Sequence, residues 1–385
     1  MKFAFVVPPL AGHVNPTLGL GAELIGRGHD VAWISLDDSL ERMLPAGGRL
    51  LLVKGEGGEG HRDKISRQNV YGIESIRFLY DDVLIPLNRY MSTGIESWID
   101  HFSPEVIIND HQLFAGAISA WKKNIPYATS VTAPAAVKMM EDLPGVHEWE
   151  VQRIVALQQE LGIEGDRCIA CSDEMALLFT SREFFGEMPL SPAYQFVGPV
   201  IRRPLNGNAF DWDQFRQMEG RPRILVSIGT TFDHSQQLDF FQKVVAAFGE
   251  EPLWVVLVSD ETLFEKWPDN FLVQRRIPQL ELLQHLDGVV CHGGHNTVCE
   301  TLTFGLPLVV LPIAYDQSHV ASRVVAAESG IRLNFKRFKP LDLRKAVWEI
   351  LQETRYRDAA RRIGVSFREA GGVERAAELL EKMIQ

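Results

Sequence analysis

Residues 291–325 read "CHGGHNTVCETLTFGLPLVVLPIAYDQSHVASRVV". An apolar run closes on Cys291 and gives way to His292-Gly293-Gly294, and a helix-like segment starts at about His295-Asn296-Thr297. A second apolar run, 307–313, leads through Asp316-Gln317 into another helix-like stretch. Short apolar runs alternating with periodic segments describe a parallel sheet covered by helices on both faces. Ligands of such sheets bind outside the carboxyl ends of the strands. In the first loop, backbone N–H groups, side-chain donors and the positive end of a helix converge on one spot, which suits a diphosphate. Glu300, one turn further on, suits the vicinal hydroxyls of a ribose, and Asp316-Gln317 suit those of a hexose. Singly, His292 reads equally well as a core histidine, Glu300 as a solvated helix residue and Asp316 as a helix cap. No structural role accounts for the three together in consecutive loops.

The same alternation runs through the rest of the chain. Residues 3–7, 30–35, 105–110, 126–131 and 167–172 read as strands of a first sheet. Residues 223–229, 252–259, 271–276, 288–293, 307–313 and 330–335 read as strands of a second. Helical spacing fills 15–27, 112–123 and 342–352 and continues to the C-terminus, while 54–70 is polar, glycine-rich and read as a mobile loop. The stretch 202–222 breaks the pattern with Pro, Gly, Asn and charges and is the candidate linker. Two doubly wound units separated by a cleft follow, since 385 residues exceed one compact core.

Fifty acidic against 39 basic residues leave a net charge of −11, with no basic block, so neither nucleic acid nor an anionic membrane is a natural partner. No apolar run spans a bilayer and no signal peptide opens the chain, which is read as cytoplasmic. The four cysteines, including the single Cys168-x-x-Cys171, are read as reduced packing thiols. Gly19-Leu20-Gly21 lacks the third glycine of a dinucleotide fingerprint and is read as close helix–sheet packing. Asp211-Trp212-Asp213 has the spelling of a metal motif, but in the linker it reads as a helix start. No cofactor and no metal is called for.

Residues 291–325, together with "GHVNP" at 12–16 and "PQLELLQHLDGVVCHGG" at 278–294, closely resemble the inverting glycosyltransferase superfamily of UDP-glycosyltransferases and bacterial antibiotic glycosyltransferases. The resemblance implies the GT-B fold, two Rossmann-like α/β domains facing across a cleft, with the acceptor on the first and the nucleotide sugar on the second. Expected limits are 1–205 and 223–365, a linker at 206–222, and a helix at 366–385 crossing back to the first domain. Carried over by position, His292, Gly293, Gly294, Asn296 and Thr297 meet the diphosphate, Glu300 the ribose, and Asp316 with Gln317 the sugar. Ser227 and Thr230 lie near the β-phosphate. Arg276, Ile277 and Gln279 belong to the base loop, where Arg276 replaces a frequent Trp, leaving UDP and dTDP both open. A guanidinium plane also stacks on a base.

The resemblance gives the histidine of "PPLAGHVNP" a role. A hydroxyl acceptor has a pKa far above 7, so transfer gains from a neutral imidazole that takes its proton, roughly 10²- to 10⁴-fold. His13 is that base, and Asp110, at the position of the family's partner aspartate, fixes its tautomer. Asp110 also reads as a helix cap. The expected reaction is an in-line displacement, inverting C1, that moves a hexose or deoxyhexose to a hydrophobic natural-product-like acceptor. The acceptor contacts 61–100 and 132–150, and the enzyme acts as a monomer or homodimer. A GT-B sugar-nucleotide epimerase and a non-catalytic homologue are the alternatives.

Overall fold

The computed structural model describes residues 1–54, 73–201, 210–229 and 238–384. The chain packs as two compact units, Met1–Arg202 with Phe367–Gln385, and Arg203–Ser366.

The first unit is built on seven strands, β1 (Lys2–Val6), β2 (Asp30–Ser35), β3 (Arg49–Leu52), β4 (Val106–Asp110), β5 (Tyr127–Val131), β6 (Ala176–Leu178) and β7 (Tyr194–Phe196), ordered β3-β2-β1-β4-β5-β6-β7. Every pairing is parallel. Side chains alternate across a strand, and both faces of β1 are apolar. Phe3 and Phe5 enter one core with Val31, Trp33, Leu20 and Leu24. Ala4 and Val6 enter the other with Leu87, Met91, Ile95 and Ile99, the four-residue stripe of helix Ile85–Phe102. The two glycines of Gly19-Leu20-Gly21 permit close packing. A Cβ on Gly19 would stand 2.3 Å from Val200, and one on Gly21 2.2 Å from the Trp33 indole. The C-terminal helix Gly372–Glu381 closes the first core with Ala376, Ala377 and Leu380. An ion pair from Arg27 and a 2.8 Å hydrogen bond from His29 Nε2 to Glu381 fasten its end.

The second unit carries six strands, β8 (Arg223–Ser227), β9 (Trp254–Val258), β10 (Phe271–Gln274), β11 (Gly288–Cys291), β12 (Leu308–Val310) and β13 (Gly330–Arg332), ordered β10-β9-β8-β11-β12-β13 and again all parallel. Strand order reverses between β1 and β4 in one unit and between β8 and β11 in the other. Those two switch points are where open parallel sheets leave room for ligands.

Some expectations need correction. Residues 167–172 form no strand. The Gln158 side chain bonds Arg167 O and Ile169 N, the Tyr127 hydroxyl donates to Ile169 O, and Thr129 Oγ1 accepts from Ser172 N. Side chains therefore satisfy this backbone, and the sheet continues at β6. Strands β3 and β7 are additional. The first helix starts at Ala11, because Leu10 O already accepts from His13 N and Val14 N, so His13 stands on a helical first turn and not in a loop. Asp211 accepts from Gln214 N and caps helix Trp212–Gln217, the helix start read from the sequence. The run 54–70, but for Lys54, lies outside the described residues. The four cysteines are free thiols. Among the described residues no helix is long and apolar enough to cross a membrane.

Candidate active site

The register of the first sheet sets Val6 beside Asn109, so the turn leaving β1 meets the last residue of β4. There His13 Nδ1 lies 3.0 Å from both carboxylate oxygens of Asp110. Asp110 is fully buried, and its Oδ1 also accepts from Gln112 N at 2.9 Å. It caps this turn and not the helix Phe114–Lys122, whose N-cap position is Leu113. Burial alone would raise the Asp110 pKa, but the imidazoles of His13 and His111 and the Gln112 N–H outweigh it and hold the carboxyl below its ordinary value. An ionised Asp110 can only accept hydrogen bonds. The proton of neutral His13 therefore sits on Nδ1, and the lone pair of the ring is on Nε2.

Two neighbours were not named individually in the sequence reading, although Thr132 opens the stretch 132–150 assigned there to the acceptor. Thr132 Oγ1 donates to Asp110 Oδ2 at 3.2 Å and lies 2.8 Å from His13 Nδ1, closing a three-residue network. Thr132 follows β5 by one residue, at the carboxyl end of a strand, where ligands of such sheets bind. His111 stacks on His13, with ring centroids 5.3 Å apart and planes 18° apart. Burial lowers its pKa to about 4 against the opposing pull of Asp110, so its ring is neutral at pH 7. One donor atom each from His13, Asp110 and His111 falls within 4.8 Å of the others, close enough to share a metal ion.

In the second unit, β8 and β11 end side by side, with Ser227 paired to Cys291. His292 is buried between two glycine backbones. A Cβ on Gly229 would stand 2.6 Å from its Cε1, and one on Gly294 2.7 Å from its Nε2. Burial lowers the His292 pKa to about 4, outweighing the Ser227 backbone, so it too is neutral. Gly293 takes the left-handed φ of 89° that turns the chain into helix His295–Thr303. This helix has no side-chain cap hydrogen bond and no acidic residue in its first turn, where His295, Asn296 and Thr297 lie. Its N-terminus therefore keeps its positive field.

Glu300 and Gln279, assigned separately to ribose and base loop, meet, with Gln279 Nε2 donating to Glu300 Oε2. Burial raises the half-buried Glu300 to about 7, against the lowering by Gln279. Arg276 is exposed and Ile277 buried. Asp316 occupies the N-cap position of helix Gln317–Ala326 without a side-chain cap hydrogen bond, so capping does not account for it. Gln317 already spends its Oε1 on Ile313 N (2.8 Å) and Ala314 N (3.0 Å), which leaves only its amide nitrogen for a sugar. Those bonds brace a loop in which Tyr315 holds φ 56°, a strained value for a bulky residue and one that clusters at functional sites. Thr230 lies outside the described residues.

Comparison with known proteins agrees with this architecture. The model of the family described as UDP-glucoronosyl and UDP-glucosyl transferase matches residues 166–368, more than half of the chain. The Bacillus subtilis protein named uncharacterized UDP-glucosyltransferase YojK is 28% identical over 98% of this chain and 96% of its own length. Demethyllactenocin mycarosyltransferase of Streptomyces fradiae is 27% identical over 99% of this chain and 86% of its own. The crystal structure of the glycosyltransferase VinC in complex with dTDP superposes with a TM-score of 0.77 at 17% identity, over 100% of this chain and 99% of that one. The chain belongs to the UDP-glucoronosyl and UDP-glucosyl transferase family, and it is a glycosyltransferase of the GT-B fold.

Proposed function

We propose that this enzyme transfers a hexose or deoxyhexose from a UDP- or dTDP-sugar to a hydroxyl of a hydrophobic small molecule, with inversion at C1 and without a metal. The observation that carries the proposal is the His13–Asp110–Thr132 network at the β1/β4 switch point. It presents a neutral imidazole with its lone pair on Nε2 and a carboxylate behind it. His13 Nε2 takes the acceptor proton as the acceptor oxygen bonds to C1, and the bond from C1 to the diphosphate oxygen breaks. Asp110 stabilises the imidazolium that results. The leaving diphosphate is received by the Gly293-Gly294 turn, the first-turn N–H groups of helix His295–Thr303 and His292, Asn296 and Thr297. Ser227 and Thr230 serve the β-phosphate, Arg276 and Ile277 the base, Glu300 with Gln279 the ribose, and Asp316 with the Gln317 amide the sugar. Names of relatives support both donor classes, one being a UDP-glucosyltransferase and another a glycosyltransferase crystallised with dTDP. A natural-product acceptor is supported by the mycarosyltransferase and by the 4'-demethylrebeccamycin synthase of Lentzea aerocolonigenes, 25% identical.

Calorimetry with UDP- and dTDP-hexoses tests the donor half. One of the two classes binds the wild type, and Glu300→Ala weakens that binding by about 1.5–3 kcal/mol per hydrogen bond lost. The Glu300 carboxyl titrates near pH 7 in the free protein, and only its ionised form accepts from both diol hydroxyls. Donor binding therefore expels its proton. Affinity rises between about pH 6 and pH 8 in the wild type and stays flat in Glu300→Gln. Unchanged affinity in Glu300→Ala would place this residue on the solvated face.

A further inference from the structure

We propose that His13, Asp110 and His111 form a binding site for one divalent transition-metal ion of the zinc class, and that the bound ion silences the transferase. The silencing rests on the reading of His13 as the base, whereas the binding stands on geometry alone. Two imidazoles and one carboxylate are the donor set of Zn²⁺, Co²⁺ and their neighbours and not of Mg²⁺ or Ca²⁺, which prefer oxygen. With bonds of about 2.0–2.1 Å, neighbouring ligand atoms of a tetrahedral zinc lie about 3.3 Å apart. Asp110 Oδ1 lies 3.0 Å from His13 Nδ1 and 3.6 Å from His111 Nδ1, on either side of that edge. Both edges from Asp110 are within a few tenths of an ångström of that value, and the third, between the two imidazoles, is at most 4.8 Å and closes as the rings turn toward the ion.

Proton positions follow from the hydrogen bonds. His111 spends Nδ1 on a long, 3.3 Å bond to Ser130 O, while its buried Nε2 has no hydrogen-bond partner among the described residues. Metal on Nδ1 moves that ring's proton to Nε2, so the only hydrogen bond given up at His111 is the long one to Ser130 O. At His13 the same exchange replaces the Nδ1–H···Asp110 bond with an Nδ1–metal–carboxylate bridge and puts the ring proton on Nε2. No proton leaves the protein, but the Nε2 lone pair that would accept the acceptor proton is gone. The ion thus fixes His13 in the tautomer that cannot act as a base.

Zinc calorimetry and Co²⁺ absorption test the binding, and turnover in EDTA against buffered free Zn²⁺ tests the silencing. The wild type is expected to bind one Zn²⁺ per chain, to give the intense visible bands of four-coordinate Co²⁺, and to lose turnover at least about tenfold with Zn²⁺, reversibly with EDTA and not with Mg²⁺. His111→Phe keeps a stacked ring and removes the ligand. It should weaken Zn²⁺ at least as much as the roughly tenfold that loss of an outer-shell partner costs, with its rate in EDTA as its own reference. Absence of stoichiometric binding, or equal affinity in His111→Phe, overturns the site. Binding without inhibition overturns the silencing. Activity that EDTA abolishes and Zn²⁺ restores overturns the metal-free mechanism instead.

Discussion

His13→Ala is expected to keep the fold and the affinity for nucleotide sugar while losing transfer to an aliphatic hydroxyl by at least the roughly 10²-fold of general-base assistance. Donor affinity survives because the residues assigned to it all lie in the unit 203–366. Folding survives because Asp110, although fully buried, keeps the Gln112 N–H and the Thr132 hydroxyl as donors when the imidazole is removed. Calorimetry with the donor verifies the first point and thermal unfolding the second. A phenol or thiol acceptor, which ionises more readily, should recover part of the lost rate. Wild-type turnover of an aliphatic alcohol by His13→Ala would make His13 a residue of packing only.

Asp110→Asn is expected to slow transfer by between about 10²- and 10⁴-fold, the upper figure being that of the same exchange in a serine protease triad. The hydrogen bonds around Asp110 dictate how. The Gln112 N–H demands an acceptor at the Oδ1 position, so the asparagine places its amide oxygen there and its NH₂ at the Oδ2 position, 3.0 Å from His13 Nδ1. Nδ1 then meets the amide oxygen and the NH₂ at the same 3.0 Å, so the tautomer with its proton on Nε2, which cannot act as a base, competes with the productive one, and no carboxylate charge supports the imidazolium. The kinetic losses of the two variants should not add. With the imidazole gone, the carboxylate has nothing to orient, and the double variant should match His13→Ala alone. Additive losses would show that Asp110 acts on something other than His13.

Both switch points were legible in the sequence because their signal is local. A buried strand, a small-residue turn and a helix start stand side by side in "CHGGHNT", and "EVIIND" ends on the carboxylate that the β1–β4 register brings to His13. Parallel pairing of six recognisable runs in the second half left little freedom for the sheet. What stayed hidden depends on contacts distant in sequence. The run 167–172 has a strand's apolarity, but Gln158, Tyr127 and Thr129 take its backbone groups. Strands of three residues, such as β7, carry too few side chains to show a period. The early start of the first helix is masked by Pro16, which sits inside it. Thr132 and His111 belong to the site only through side-chain geometry, and the bracing role of Gln317 emerges only where its amide oxygen meets Ile313 N and Ala314 N.

The central claim, transfer to an acceptor by a single displacement that His13 assists, is tested most directly by the anomeric configuration of the product. The wild type is incubated in EDTA with an α-linked UDP- or dTDP-hexose and a hydroxyl acceptor, and the anomeric proton is followed by NMR. A β-glycoside is expected, formed in step with release of the nucleoside diphosphate and slowed in His13→Ala. An α-glycoside would contradict the single displacement, and a changed hexose without acceptor would mark an epimerase.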